Sequence, residues 1–350
     1  MNDKYILYKE YLVPFLRKLA KDYRLIAPLA NRHGDVLLQE VESVDTARFD
    51  FDCQAQGSAK PFLLPQQEVL FSYRISPQGE YVFKEHLDET PTVFFGLRSC
   101  DLSAILYMDV IFLRGARDIY YLKRRENSLL ISIGCNEPSP NCFCNATGSG
   151  PFLDYGFDLQ LTDLGDRFFV EPGRIRGEEL IRRWRYFFQA AAEQDAKAQY
   201  QLALEARADF KRQVHVESAF QKLAADQVDE RIWSYLSSRC QDCGGCAYIC
   251  PTCTCFTVYD RSLSANRGER VRSWDACTFS GFTGMAGGHN PVDRGSQAVR
   301  RRFLHKLLYD YQKYGRPGCV GCGRCVDICF GGVDIISFID MVCGQDTMNR

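Results

Sequence analysis

Two cysteine runs decide the fold of the C-terminal third: Cys240-Gln-Asp-Cys243-Gly-Gly-Cys246-Ala-Tyr-Ile-Cys250 and Cys319-Val-Gly-Cys322-Gly-Arg-Cys325-Val-Asp-Ile-Cys329. Both have the spacing C-x2-C-x2-C-x3-C. Three thiols at two-residue intervals can wrap one inorganic cluster on a tight loop. The glycines in each run let backbone N–H groups turn toward sulfur without a Cβ clash. The fourth cysteine begins a helix that points away, so we expect it to reach a second cluster.

This spacing is that of bacterial ferredoxins with two [4Fe–4S] clusters, in which the fourth cysteine of each run binds the other cluster. The sequence therefore predicts two [4Fe–4S] clusters with crossed ligands. The first set is Cys240, Cys243, Cys246 and Cys329, and the second set is Cys319, Cys322, Cys325 and Cys250. The alternative is zinc. Zinc takes four ligands, usually as two separated pairs, which does not explain a triplet plus a fourth cysteine repeated twice.

Composition is that of a soluble globular protein with about two domains, since 46% of the 350 residues are hydrophobic and 25% are charged. The 43 basic and 44 acidic side chains nearly balance, which gives no reason to expect nucleic acid as a partner. No apolar run approaches the roughly 20 residues of a membrane span, and Met1–Glu10 lacks a signal-peptide core. We therefore expect a cytoplasmic protein, in which dense cysteine indicates metal ligation rather than disulfides.

Hydrophobic periodicity divides the chain into regions of different character. A helical pattern covers residues 3–22, short strands are expected at Arg24–Ala27 and Val36–Glu40, and residues 50–66 are expected to be a loop. Apolar strands at Thr92–Phe95 and Leu129–Ile133, the first followed by a helix over Leu102–Phe112, indicate a parallel sheet. A hairpin is predicted at Phe157–Leu161 and Arg167–Glu171, and a helix at Val299–Tyr314.

The predicted fold is α+β and multidomain. An N-terminal α/β domain covers residues 1–175. A helical linker follows at 176–237, rich in Ala, Gln, Glu, Lys and Arg. A mainly helical ferredoxin-type domain with two [4Fe–4S] clusters covers 238–350. The long gap between the two cysteine runs favours a helical dicluster domain over a compact ferredoxin.

Four cysteines lie upstream of the two runs. Cys100 and Cys135 each follow a predicted strand, and ligands in open α/β sheets bind at the carboxyl ends of strands. Cys142 and Cys144 follow in a loop rich in glycine and proline. We expect the four thiols to hold a third [4Fe–4S] cluster. The alternative is buried free cysteine, which packs as a small hydrophobe.

Cys253, Cys255 and Cys277 form an incomplete set without an evident fourth ligand, so we expect them to pack beside a cluster; a further metal is the alternative. His289, in a glycine-rich loop, is expected to stabilise that loop by a hydrogen bond rather than to act as a ligand.

Further motifs stand in order along the chain: Phe62-Leu-Leu-Pro-Gln-Gln-Glu68, Gly96-Leu-Arg-Ser-Cys-Asp-Leu102, Cys142-Phe-Cys144, Cys250-Pro-Thr-Cys253-Thr-Cys255-Phe, Trp274-Asp-Ala-Cys277, Met285-Ala-Gly-Gly-His289-Asn-Pro291 and Arg302-Phe-Leu-His-Lys306. With them the whole chain resembles the dicluster family that includes the beta subunit of sulfhydrogenase, a cytoplasmic nickel–iron hydrogenase, and the dicluster subunit of anaerobic sulfite reductase. The sequence departs from the usual pattern at Phe330, where proline would follow Cys329. This change affects the turn and not the ligands.

The resemblance implies a cytoplasmic electron-transfer subunit beside a flavin- and NAD(P)-binding subunit. The chain has no G-x-G-x-x-G motif, no P-loop and no H-E-x-x-H motif. We therefore expect a non-catalytic subunit that carries single electrons between the flavin partner and a terminal catalytic subunit. The alternative is a subunit whose own iron–sulfur site, with one iron free of cysteine, reduces a small sulfur compound.

Overall fold

A computed structural model describes residues 4–292 and 295–344 of the chain. In this part of the chain the backbone forms two β-sheets and a set of mostly short helices. The strands are β1 (Tyr5–Tyr8), β2 (Arg24–Ala30), β3 (Val36–Glu40), β4 (Gln67–Ile75), β5 (Tyr81–Glu85), β6 (Thr92–Leu97), β7 (Ser128–Ile133), β8 (Leu159–Asp163), β9 (Arg167–Pro172), β10 (Gln189–Ala190), β11 (Phe256–Ser264) and β12 (Arg267–Trp274).

The helices differ in length between the two halves of the chain, with the longest ones in the N-terminal two thirds. They are α1 (Lys9–Asp22), α2 (Lys60–Leu63), α3 (Ser99–Phe112), α4 (Ile119–Glu126), α5 (Ile175–Arg183), α6 (Glu193–Ala208), α7 (Val216–Ala224), α8 (Glu230–Arg239), α9 (Gly245–Tyr248), α10 (Gly295–Leu304), α11 (Asp310–Tyr314), α12 (Arg324–Ile328) and α13 (Ile335–Cys343). A π-helical turn at His305–Tyr309 joins α10 to α11.

The larger sheet has eight strands in the order β10-β1-β9-β8-β7-β6-β2-β3. Its centre is parallel: β2 pairs with β6, β6 with β7, and β7 with β8. The outer pairs are antiparallel. The sequence therefore predicted the neighbouring parallel strands β6 and β7, and it placed the β8–β9 hairpin within two residues.

Both faces of the central strands are covered, which explains why they are apolar without alternation. On β6, Val93 and Phe95 belong to a core with α1 and α5, whereas Phe94 and Leu97 belong to a core with α3. All six residues of β6 and of β7 are buried. The carboxyl ends of these strands are therefore held rigidly, and residues that follow them start from fixed positions.

The smaller sheet joins distant parts of the chain in the order β11-β12-β4-β5. Its β11–β12 hairpin lies between the two cysteine runs and pairs with β4 from the N-terminal region. A buried ion-pair group fixes this junction, because Glu68 of β4 contacts Arg272 of β12 and, at 2.7 Å, Arg124 of α4. The C-terminal region is thus less purely helical than the sequence predicted.

Two other predictions need correction. Tyr5–Tyr8 is a strand between β9 and β10 rather than the first turn of a helix, because these residues complete the edge of the large sheet. Within the predicted loop at 50–66, Lys60–Leu63 forms a helical turn. Residues 176–237 are largely helical as expected, although Gln189–Ala190 adds the strand β10 to the large sheet.

The C-terminal helices share a separate core built around aromatic residues. Phe303 of α10 stacks on Phe338 of α13 with ring centroids 4.2 Å apart, and Trp233 of α8 packs against both. Half-buried cysteines of both runs contact this core, among them Cys240 and Cys319. The core therefore supports the cysteine loops from one side. Among the described residues, no helix is both long enough and apolar enough to cross a membrane.

Candidate metal centres

The first cysteine run lies between α8 and α9. Cys240 directly follows α8, and Cys246 lies in the single turn of α9. Gly244, which precedes α9, has a left-handed φ of +70°, and a Cβ at this position would lie 2.5 Å from the ring of Phe279. Glycine is required there by conformation and by space.

The second run repeats this local geometry before α12. Gly323 has a φ of +77° and precedes the helix that carries Cys325, and Cys329 follows the last residue of that helix. A Cβ on Gly321, whose φ is +62°, would lie 2.5 Å from the backbone oxygen of Phe143. The two runs are therefore structural equivalents, as their equal spacing predicts.

A cavity of about 190 Å³ lies where the two runs meet. Its lining includes the four thiols of the first crossed set, namely Cys240, Cys243, Cys246 and Cys329. Arg302 from α10 also lines the cavity, and the exposed Phe330 lies at its rim. The fourth cysteine of the second run thus reaches the first run, which is the arrangement that crossed ligation requires.

The thiols of the second crossed set influence one another strongly. Burial raises the pKa of Cys319 to about 12, and a Cys250 thiolate raises it further. Burial followed by the same neighbour raises the pKa of Cys322, and burial together with Cys319 and Cys250 raises that of Cys325. These effects arise because the four sulfurs face one another. A free thiolate is costly in this interior, and iron binding would remove that cost.

Cys250 differs from its companions. A hydrogen bond from the Cys253 thiol and the charges of Lys306 and Lys60 together outweigh burial and hold the pKa of Cys250 well below its usual range. The Cys250 sulfur also lies 3.2 Å from Oγ1 of Thr252. Because iron binds the thiolate, this environment suits a metal ligand.

Within residues 4–292 and 295–344, no group of three or more His, Cys, Asp or Glu side chains has the close spacing of a single-ion site. A four-iron cluster takes one thiolate on each of its irons, so its ligands stand further apart than those of one ion. The arrangement of four thiols around a cavity fits such a cluster.

The structure brings the upstream cysteines to one edge of the large sheet. Cys100 lies in the first turn of α3 after β6, and Cys135 follows β7, the parallel neighbour of β6. Cys100, Cys142 and Cys144 are buried, whereas Cys135 is half-buried. Burial and then the Cys135 thiolate raise the pKa of Cys142 to about 12 and that of Cys144 further. The geometry therefore groups the four thiols that the sequence singled out.

The loop of the upstream cysteines packs directly against the second run. The backbone N–H of Phe143 donates to the oxygen of Gly321 at 2.7 Å, and the Cys142 sulfur lies 3.6 Å from the backbone oxygen of Cys322. The close approach at Gly321 belongs to the same contact. The upstream set and the second set are therefore immediate neighbours.

A buried ion pair reinforces this contact. Arg324, the first residue of α12, forms two hydrogen bonds of 2.7 and 2.9 Å with the carboxylate of Asp101 in α3. Both side chains are almost completely buried. Since Asp101 follows Cys100 and Arg324 precedes Cys325, the pair ties one cysteine set to the other.

Three cysteines outside the predicted ligand sets are also brought close to them. The Cys253 thiol donates a hydrogen bond to Cys250, and Cys277 donates one to Cys255, whose pKa this bond lowers to about 7. Cys277 faces Cys246 of the first run. They lie beside the crossed sets, as expected from the sequence.

The remaining predicted residues lie apart from these groups. Cys53 is exposed, and the Cys343 sulfur lies 3.8 Å from the backbone oxygen of His215. The backbone oxygen of His289 accepts a hydrogen bond of 2.8 Å from the N–H of Met285, which closes the glycine-rich loop.

Buried cations, which were not predicted from the sequence, surround the cysteines. Arg302 faces Cys246 of the first run and Cys325 of the second. Lys306, one helical turn further on, and Lys60 of α2 both face Cys250. The four-residue spacing of Arg302 and Lys306 is a signal in the sequence, because it places both side chains on one helix face. No pattern around Lys60 predicts its position.

Comparison with known proteins agrees with this geometry. Residues 239–333, which contain both cysteine runs, match the 4Fe-4S dicluster domain family. Over 341 residues the chain is 28% identical to sulfhydrogenase 2 subunit beta of Pyrococcus furiosus. The alignment covers 96% of this chain and 97% of the relative.

The C-terminal region is therefore a 4Fe-4S dicluster domain that follows a sheet-rich N-terminal region. The chain belongs to the dicluster iron–sulfur electron-transfer family. Its full-length similarity to a hydrogenase beta subunit confirms the resemblance drawn from the motifs.

Proposed function

We propose that this chain is an electron-transfer subunit of a hydrogenase-like oxidoreductase complex, with one [4Fe–4S] cluster on each crossed cysteine set. The observation that carries the proposal is the cavity in which Cys240, Cys243 and Cys246 meet Cys329. When bound, such clusters supply one-electron transfer at potentials that the surrounding protein adjusts. The role of the chain is to hold the ligands, exclude water and fix the spacing between the sets.

The contacts between the sets support a continuous path. Arg302 faces the first set through Cys246 and the second through Cys325. The second set meets the upstream set at Cys322 and Cys142. If the upstream thiols hold a third cluster, the three sets form a row in which each site adjoins the next.

The first set lies at the end of this row that reaches the surface. Cys243 is exposed, and so are two apolar side chains of the cavity lining, with exposed fractions of 42% for Ile328 and 81% for Phe330. Exposed apolar side chains beside a redox site suit a protein interface. We propose that a partner subunit docks here.

The partners follow from what the chain lacks in sequence and from the name of its relative. The chain has no nucleotide-binding fingerprint, so a flavin- and NAD(P)-binding subunit would supply electrons and a terminal catalytic subunit would consume them. A relative named as a sulfhydrogenase subunit supports such an assembly. The cytoplasm is the proposed location.

Anaerobic assays of the isolated full chain test this proposal. We expect no oxidation of NADH or NADPH with an artificial acceptor. We expect dithionite to reduce the protein and an oxidised viologen dye to reoxidise it. Robust NAD(P)H oxidation by the pure chain without flavin would contradict a pure carrier role, and so would protein that dithionite cannot reduce.

A second candidate function is reduction of a small sulfur compound at the upstream set. It is favoured by a cleft of about 500 Å³ at the carboxyl end of β7, whose lining includes Gly134 and Asn136 on either side of Cys135. Arg98 and Lys9 also line it and could bind an anion. Addition of sulfite to the reduced chain distinguishes the candidates, because a carrier role predicts no change in the paramagnetic resonance spectrum and no reoxidation.

A further inference from the structure

Two lysine side chains lie in the protein interior beside the second cysteine set. Lys60, on the turn α2, has an exposed fraction of 2%, and Lys306, in the π-helical turn, has one of 6%. Lysine is almost never this buried without a partner for its charge. The two positions are 246 residues apart in sequence, yet both ammonium groups face Cys250 and Cys253.

Lys60 is held by neutral groups. Its ammonium donates hydrogen bonds to the backbone oxygens of Ala247 at 3.1 Å and Cys253 at 3.3 Å. It also lies 3.8 Å from the centre of the Trp274 ring. These contacts fix the position of the charge but do not neutralise it.

Lys306 is held in the same manner on the other side. Its ammonium donates to Oγ1 of Thr252 at 2.8 Å and to the backbone oxygen of Gly318 at 2.6 Å. Thr252 in turn lies 3.2 Å from the Cys250 sulfur. One hydroxyl group therefore separates the Lys306 charge from a proposed cluster ligand.

In the described part of the chain, no carboxylate forms an ion pair with either lysine. The Asp310 carboxylate faces Lys306, but its own contacts are a 2.5 Å hydrogen bond from Tyr107 and a 3.3 Å contact with His305. Two buried and uncompensated positive charges are strongly unfavourable unless an anion lies beside them. The thiolates of the second set, with the cluster that they would hold, are that anion.

The other buried cations do not act in the same way. Arg324 is already paired with Asp101, so the two charges largely cancel. Arg302 faces both crossed sets and therefore does not distinguish between them. Lys60 and Lys306 face the second set, which makes the environment of the two sets unequal.

We propose that Lys60 and Lys306 set the reduction potential of the second cluster, the one held by Cys250, Cys319, Cys322 and Cys325. This inference rests on the proposed function, because it requires a cluster at that set. Reduction adds one electron to a group that is already anionic, and no bond is made or broken. Fixed positive charges beside Cys250 stabilise the reduced state, so they raise its potential.

The test is an anaerobic redox titration of the full-length holoprotein, followed by electron paramagnetic resonance. The variants are Lys60→Met and Lys306→Met, and the signal of the second cluster is identified by its loss in Cys322→Ser. The matched control is Lys222→Met, because Lys222 also donates to a backbone oxygen, that of Val342 at 2.8 Å, but faces neither crossed set.

Each Met variant should lower the midpoint potential of the second cluster by about 59 mV or more, a tenfold change in its one-electron equilibrium. The first cluster should change less and the control not at all. Lys60→Arg and Lys306→Arg should keep a potential near that of the native protein. If a Met variant loses iron, Lys→Gln at the same position takes its place.

An unchanged potential in iron-replete Met or Gln variants would overturn the inference while leaving the proposed function intact. Arg variants that shift the potential as far as Met variants would also overturn it, because packing rather than charge would then be responsible. Native protein without iron would instead contradict the proposed function itself.

Discussion

Replacement of Asp101 by Asn tests whether the upstream region and the second run are energetically joined. The substitution keeps the shape of the side chain but removes the charge that pairs with Arg324. Exposed fractions of 2% for the Asp101 side chain and 3% for that of Arg324 leave solvent no access to the uncompensated guanidinium. Breaking a buried pair by removing one partner costs about 3–5 kcal/mol.

This loss is large beside the total stability of an ordinary domain, about 5–15 kcal/mol. The 3.0 Å hydrogen bond from Nε of Arg324 to the backbone oxygen of Ala55 would remain, so the guanidinium stays in place. The double variant Asp101→Leu with Arg324→Met removes both charges and should recover most of the lost stability, because a well-packed apolar pair can replace a buried ion pair.

Guanidinium unfolding of the holoprotein under argon, followed by circular dichroism and by visible absorbance, measures the effect. The control is Glu193→Gln, which removes an ion pair with Lys197 whose side chains are both mostly exposed, and it should change little. A loss of less than about 1 kcal/mol for Asp101→Asn would refute the reasoning, because a measurable desolvation cost would then be absent.

Three further substitutions address the cysteine sites. Gly321→Ala should weaken the contact with the upstream loop and increase the reactivity of Cys142 toward a thiol reagent, because a Cβ would lie 2.5 Å from the Phe143 oxygen; unchanged reactivity would contradict the packing. Cys243→Ser should lose about four iron atoms per chain, whereas Cys53→Ser should lose none; full iron in the first would show a wrong ligand assignment. Cys144→Ser should lose a third group of about four irons and leave the two crossed sets loaded, and retention of all iron would favour packed core cysteine.

Local sequence patterns were sufficient for the elements whose cause is local. The strands β6 and β7 are continuous apolar runs because both faces are buried, and their adjacency placed Cys100 and Cys135 at one edge. Equal spacing in the two runs likewise predicted equal loops, each with a left-handed glycine before a short helix.

The smaller sheet could not be predicted from the sequence, because its pairing joins residues about 200 positions apart. Strand β5 and strand β11 are exposed along their whole length, so neither shows the alternation that marks a half-buried strand. Tyr5–Tyr8 followed a helical pattern and became a strand because tertiary pairing with β9 outweighs local preference.

Lys60 illustrates a second limit. Its sequence neighbours describe a loop, and its burial beside Cys253 follows only from how the N-terminal region packs on the dicluster region. Charges that act on a site from distant elements leave no spacing pattern. The ligands of the candidate sites could therefore be proposed from sequence, but the electrostatic environment of those ligands could not.

Iron and acid-labile sulfide in the full chain, purified and assayed under argon, test the central claim most directly. Two four-iron clusters require at least about eight iron and eight sulfide per chain, rising to about twelve of each if the upstream set is also loaded. Protein that contains zinc, with no labile sulfide and no iron after anaerobic reconstitution, would contradict the account.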